Sequence, residues 1–235
     1  DHVERRLRAV RGDARRLSDQ ELNDAITAVV AALMQCCPVR RENLAELRIA
    51  RCPERGLDAN LYIPATEQGR RSGGSPRPAR IHLTPAEVKN DIEMTVVASA
   101  FATRALQVYR DRIRPELLRR RGAASENPYL FPGQGMRERA HTKLTRDYRD
   151  RARRAGFELD LHCNRHLTAK IVLDRDPAAM SLVQTILGHA QQSTTEAYYA
   201  DVNHALAQQT FQEHLLSAER ELSDQLAVTL RRASS

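Results

Sequence analysis

Three short segments of this 235-residue chain combine residue types suited to gripping a phosphate. In Leu161-His162-Cys163-Asn164-Arg165-His166, His162 and Arg165 stand three residues apart, which on a helix puts them on one face of the first turn. A guanidinium and an imidazole so placed can address one anion, and the unpaired N–H groups of a helix start favour the same ligand. Further along, Asp176-Pro177 reads as a helix start and Gly188 as a helix stop that throws His189 out just beyond it. Ser193 and Glu196 then make a capping box, which opens another helix and sets Tyr198 near its second turn. Singly, these are an ordinary surface pair, a loop histidine and a half-buried aromatic. Only their joint spacing is informative.

The elements that must position these groups are mostly helical. Ser18 and Glu21 form a capping box, and Leu22, Ile26, Val29, Val30 and Leu33 follow at helical spacing, predicting a helix to about Cys36. Pro38 interrupts it, and Arg41 to Leu47 reads as a shorter helix with Leu44 and Leu47 inward. Between Ile49 and Val97 the pattern changes to short β-prone pieces, 61–63, 81–83 and 92–97, around a polar Gly/Ser/Pro/Arg stretch, 66–80. This predicts a small antiparallel sheet with a mobile loop. Helical character returns over 99–120, with Phe101, Leu106, Val108, Tyr109, Ile113 and Leu117 as core positions, and a loop containing Pro128 to Gly133 follows. Helices are expected at 140–155, 163–174, 177–187, 194–199 and 202–230. The fold class is therefore mainly α with one small antiparallel β-sheet.

Composition narrows the partner. Lysine plus arginine number 37 against 30 acidic residues, a net charge of +7, and the sequence pI is about 9.6. That balance favours a polyanion. Lysines number three in all, Lys89, Lys143 and Lys170, so one placed where chemistry would use it stands out. No apolar run approaches the roughly 20 residues of a membrane span, and the charged start is no secretory signal, so a cytoplasmic protein is expected. Cys36, Cys37, Cys52 and Cys163 make no C-x-x-C pair and read as reduced thiols rather than zinc ligands. The chain begins with Asp1 rather than Met, which reads as a fragment lacking an N-terminal part.

His162-x-x-Arg165-His166, then Leu187-Gly188-His189, then Thr194-Thr195-x-x-Tyr198 resembles the tyrosine recombinase (phage integrase) family. Its hallmark is H-x-x-R-H, L-G-H and T-T-x-x-Y, with the tyrosine nine residues after the last histidine. Tyr198 stands nine after His189; its neighbour Tyr199 does not. The family's R-x-x-E-L-x-x-L motif corresponds to Arg40 through Leu47, where matching the leucines selects Arg40. Asn43 replaces the acidic residue, and a slip of one position would select Arg41 instead. The family's lysine on a turn of the small sheet corresponds to Lys89, in Val88-Lys89-Asn90.

The resemblance implies a site-specific recombinase, working without metal, cofactor or ATP, that breaks and rejoins DNA strands through a 3′-phosphotyrosine. Tyr198 would be the nucleophile, Arg40 and Arg165 the phosphate clamps, and His162 and His189 further hydrogen-bond donors, with Lys89 protonating the 5′-oxygen. It also implies a double-stranded DNA partner, four protomers on two DNA sites, and a nucleoid-associated protein of bacterial or phage type. The expected organisation is a charged linker or exposed helix over 1–17, a catalytic domain over 18–200 and a C-terminal helical segment over 201–235, docked in cis or on a neighbouring protomer. Arg119 to Arg121 and Arg151 to Arg154 are candidate DNA-backbone contacts. A type IB topoisomerase and a catalytically inactive regulator of the same fold are the alternatives.

Overall fold

Ser18 does cap the first long helix: its hydroxyl accepts from the Glu21 N–H and the Glu21 carboxylate accepts from the Ser18 N–H, closing the box. In the computed structural model, which describes residues 13–66, 77–89, 91 and 93–187, this helix, α1, spans Asp19–Cys36. Leu22, Ile26, Val29, Val30 and Leu33 all face the core. Each fully buried aliphatic side chain of this kind contributes about 1.5–3 kcal/mol of hydrophobic transfer. The short helix α2, Arg41–Ala45, follows, with Leu44 and Leu47 completely buried.

A three-stranded antiparallel sheet comes next, ordered β1 (Leu61–Tyr62), β2 (Arg80–Leu83), β3 (Met94–Val97). Leu61 pairs with Ile81, and β2 runs against β3 from Arg80 opposite Val97 to Leu83 opposite Met94. The period of two puts Ile81 and Leu83 inward, Arg80 and His82 outward. Ala79 N–H donates to the Thr103 hydroxyl, tying the start of β2 to the next helix. Residues 67–76, most of the expected mobile loop, lie outside the described residues.

Helix α3, Ala100–Val108, is capped by Ser99, continues through a π-helical turn, Tyr109–Ile113, and passes into α4, Arg114–Arg121, which stops at Gly122 in the left-handed conformation (φ 58°). Four of the six core positions expected here, Leu106, Tyr109, Ile113 and Leu117, are buried. Phe101 is not: it is 54% exposed, because Ala102, Thr103 and Leu106 set the inward face of α3 and leave Phe101 on the other side. Val108 is only half-buried.

The segment expected as a loop lacks helix or strand yet is buried, because its backbone pairs with the residues that follow α2. Leu130 N–H donates to the Leu47 carbonyl at 2.7 Å and Ile49 N–H to the Pro128 carbonyl at 2.9 Å. Phe131 packs against Tyr109, ring centroids 5.6 Å apart. Helix α5, His141–Arg154, packs on α1 and α2, and α1 also packs on α3. Two further helices, α6 (Leu161–Arg175) and α7 (Met180–Leu187, after a 3-10 turn Pro177–Ala179), complete the described chain.

The chain divides into two compact units, Asp1–Thr168 with Ile186–Gly188, and Ala169–Thr185 with His189–Ser235. The first contains the sheet and the core just described. Of the second, residues 169–185 are described, and there Lys170 pairs with Asp174 one helical turn on. The helices expected at 194–199 and 202–230 lie outside the described residues. Among the described residues all four cysteines are free thiols, and no helix is long and apolar enough to cross a membrane.

Candidate active site

Arg40 is the residue at which the chain turns into α2: it has extended backbone (φ −64°, ψ 150°) and its carbonyl accepts the first helical bond, from Leu44 N–H. Its side chain is half-buried and has no hydrogen-bond or ion-pair partner among the described residues. Arg41, the alternative, is exposed and pairs with Glu42 at 2.7 Å. The Glu42 carboxyl, whose burial opposes ionisation, is nonetheless held below the ordinary range by that bond.

Lys89 is exposed on the β2–β3 turn. The turn is built by a second capping box, Thr84 with Glu87, around the 3-10 turn Pro85–Glu87. Val88 anchors it in the core, and Asp91, with left-handed backbone (φ 54°), turns the chain toward β3. Below the turn lies a polar network. Glu87 accepts from Thr84 N–H and Oγ1, both at 2.9 Å, from Asn60 Nδ2 at 3.0 Å and from the Arg48 guanidinium. Arg48 is 1% exposed, and its other nitrogens donate to the carbonyls of Asp58 and Glu46. Burial pushes the Glu87 pKa up, but these donors together outweigh it and hold the carboxyl below its ordinary value. Asn43 Nδ2 donates to the Glu87 carbonyl at 2.5 Å, so the helix that follows Arg40 is bonded to the turn that carries Lys89.

Helix α6 begins one residue before His162. Asp160 accepts from Cys163 N–H at 2.8 Å, and this bond, against the opposing effect of burial, keeps its carboxyl below the ordinary range. In the structure the side chains of Arg165 and His162 have different neighbours. Arg165 is 5% exposed and donates to the carbonyls of Pro38, at 3.0 Å, and Leu187. His162 is exposed, with its Nε2 3.2 Å from that of His166. The physical reason is that a buried guanidinium requires acceptors, and two backbone carbonyls supply them. Thr168 also donates to the Met34 carbonyl, at 3.4 Å. Hence the segments bearing Arg40, Lys89 and His162–Arg165 are joined by side-chain bonds through Pro38 and Asn43. His189 and Tyr198 lie outside the described residues.

The two arginine clusters read as DNA contacts are largely engaged within the protein. Arg119 and Arg120 both clamp Glu116, and Arg120 also bonds Asp19 and the Leu17 carbonyl. Arg121 bonds the Pro132 carbonyl and Asn23, and its pKa is pushed down to about 10 by burial and by Arg139. Arg151 and Arg154 pair with Asp24, and Arg153 with Glu158.

No family model matches the chain. It is 31% identical over 114 residues to the tyrosine recombinase XerD of Rhizobium meliloti (strain 1021), a stretch covering 47% of this chain and 34% of that protein. Among solved structures it resembles a XerH site-specific recombinase bound to a palindromic difH substrate in a post-cleavage complex, with a TM-score of 0.54, 18% identity, and 83% of this chain and 47% of the other covered. A pre-cleavage complex of XerH with difH gives a TM-score of 0.52 at 18% identity, over 81% and 46% of the two chains. The fold is the tyrosine-recombinase catalytic-domain fold. The chain matches about a third of the length of its curated relative.

For a tyrosine recombinase catalytic fold, residues that reading by motif passed over are Arg48, Asn60 and Glu87, which support the lysine turn. The Thr84-x-x-Glu87 spacing just before Lys89 was the available signal. Position 43, acidic in the family motif, is Asn here. In the structure Glu87 supplies a carboxylate, and position 43 supplies a donor, which an ionised carboxylate could not.

Proposed function

We propose that this chain is the catalytic part of a site-specific DNA recombinase that cuts and rejoins double-stranded DNA through a covalent tyrosine–phosphate bond, and that it assembles as four protomers on two DNA sites. The observation that carries the reading is the bonding of its motif segments to one another: Arg165 to the Pro38 carbonyl, and Asn43 to the Glu87 carbonyl. Two cationic segments and the lysine turn, remote in sequence, are thereby tied to one scaffold.

In the proposed reaction the Tyr198 hydroxyl oxygen attacks phosphorus, giving up its proton to His162, while the bond from phosphorus to the 5′-oxygen breaks and Lys89 protonates that oxygen. Arg40 faces the charge that builds on the non-bridging oxygens, where a permanently charged planar group is most effective. Arg165 contributes from a rigid position, and His189 adds a hydrogen bond to the same oxygens. The phosphotyrosine conserves the energy of the broken bond, so a 5′-hydroxyl from another strand can reverse the attack and reseal. Working as a domain that spans about a third of its relative's length, it would use 18–200 for chemistry and 201–235 for contact with itself or a neighbour.

The test is to incubate the protein with a nicked trapping DNA site and look for an adduct that survives denaturation. The wild type is expected to form it and Tyr198→Phe to form none. An adduct retained in Tyr198→Phe, or formed only through Tyr199, would overturn the assignment of the nucleophile.

A further inference from the structure

We propose that His162 and His166 form a two-imidazole chelate for a divalent cation of the Zn2+, Ni2+ and Cu2+ class, and that filling it withdraws His162 from the DNA phosphate. The chelate itself stands on geometry alone; its effect on cleavage rests on the recombinase reading above.

The two histidines stand four residues apart on α6, so they project from successive turns of one face. A helical pair at this spacing is the arrangement by which two imidazoles close on one metal ion. Their Nε2 atoms are 3.2 Å apart, and the rings lie nearly perpendicular, at 81° with centroids 4.5 Å apart. Two nitrogens at that separation, each about 2.0–2.1 Å from a zinc ion, subtend an angle of about 100° at the metal, close to tetrahedral. Little has to move. His162 is exposed and His166 half-exposed, so solvent reaches the pair.

The surroundings favour a cation. Asp160, two residues before His162, places a carboxylate at the start of the same helix, where it accepts from Cys163 N–H at 2.8 Å. The nearest arginine on the helix, Arg165, is buried and donates to the Pro38 and Leu187 carbonyls. At present one Nε2 donates a proton to the other. On chelation that proton moves by tautomer exchange to the Nδ1 of its own ring, leaving both Nε2 lone pairs for the metal and requiring no co-reactant. Among the described residues no other His, Cys, Asp or Glu side chain joins the pair as a third ligand. Imidazole donors of this kind select Cu2+, Ni2+ and Zn2+ over Mg2+ or Ca2+. The cation is therefore a reversible inhibitor, not a cofactor. It would occupy the nitrogen that His162 otherwise offers to a phosphate oxygen or to the tyrosine proton.

The test titrates the full chain, without a histidine tag, with Zn2+ and separately with Ni2+ by calorimetry. Wild type should show a site that His162→Gln and His166→Gln each weaken roughly a hundredfold, the loss expected when a bidentate ligand becomes monodentate. His82→Gln, which removes an exposed imidazole on β2, should leave it unchanged. Equal binding by wild type and both α6 variants, or loss of binding in His82→Gln, overturns the chelate. In a second arm, Zn2+ should suppress adduct formation by wild type, reversed by a chelator, while adduct formation by His166→Gln should be insensitive to Zn2+. Insensitivity of the wild type overturns the inhibitory role. If no adduct forms even without metal, the recombinase reading fails, and the titration still decides the chelate.

Discussion

At the scale of single residues, adjacent arginines at the start of α2 have different fates. Arg41 is exposed and neutralised by Glu42 at 2.7 Å, whereas Arg40 is half-buried and keeps its guanidinium clear of any described partner. A cation that must meet a phosphate is better placed if no carboxylate already holds it. Arg40→Ala is therefore expected to lower the rate of adduct formation by about 100- to 1,000-fold, the usual effect of removing one preorganised charge donor from a transition state. Arg41→Ala should change it by only a few-fold. Single-turnover cleavage of a trapping substrate reads both, and the opposite ranking would shift the motif register by one residue.

At the scale of elements, the β2–β3 turn is held from below rather than by its own strands. Its carboxylate, Glu87, collects four donors, and its backbone carbonyl takes a fifth from Asn43 on α2. Replacing Asn43 by Asp would set an acceptor against an acceptor in a site where residue 43 is 7% exposed. The expected cost is about 1–3 kcal/mol, the desolvation penalty of a buried carbonyl left unpaired. Urea denaturation measures it, and an Asn43→Asp protein as stable as wild type would show that the turn does not depend on this bond. Helix α4 shows the same logic of sharing, since Arg120 links Glu116 with Asp19 and thereby fastens 15–19 to the far end of α4.

Across the whole molecule, the formal excess of +7 overstates the charge available to a partner, because many arginines are committed internally. Those commitments imply a pH dependence. The Glu116 pKa is lowered from 4.5 to about 2, chiefly by its bond to Arg119, with burial opposing and Arg120 assisting. Glu42, Glu87, Asp111 and Asp160 are shifted in the same direction. A carboxyl whose folded pKa lies below its unfolded value stabilises the fold fully above the unfolded value, and that contribution is lost as pH falls through the folded one. Stability should thus be flat from pH 7 to about 5 and fall steadily between about pH 4.5 and 2. Thermal melts across that range check it; a melting temperature unchanged down to pH 3 would contradict the role of these pairs.

Periodicity and capping chemistry are local, and they were legible without coordinates. The Ser18 box, the core face of α1, the start of α2 at Arg41, the three strands and the placement of Lys89 on their turn follow from neighbours within a few residues. So did the resemblance to the tyrosine recombinases, since the spacings from His162 to Tyr198 are properties of the chain itself. What lay beyond local reading were the facts set by residues distant in sequence. That Phe101 faces solvent depends on the phase of α3 against the core. That Arg165 is buried depends on carbonyls at Pro38 and Leu187, and that Asn43 is a donor depends on Glu87, 44 positions away. A buried polar group must find its partner wherever the fold brings one, and only tertiary structure decides where that is.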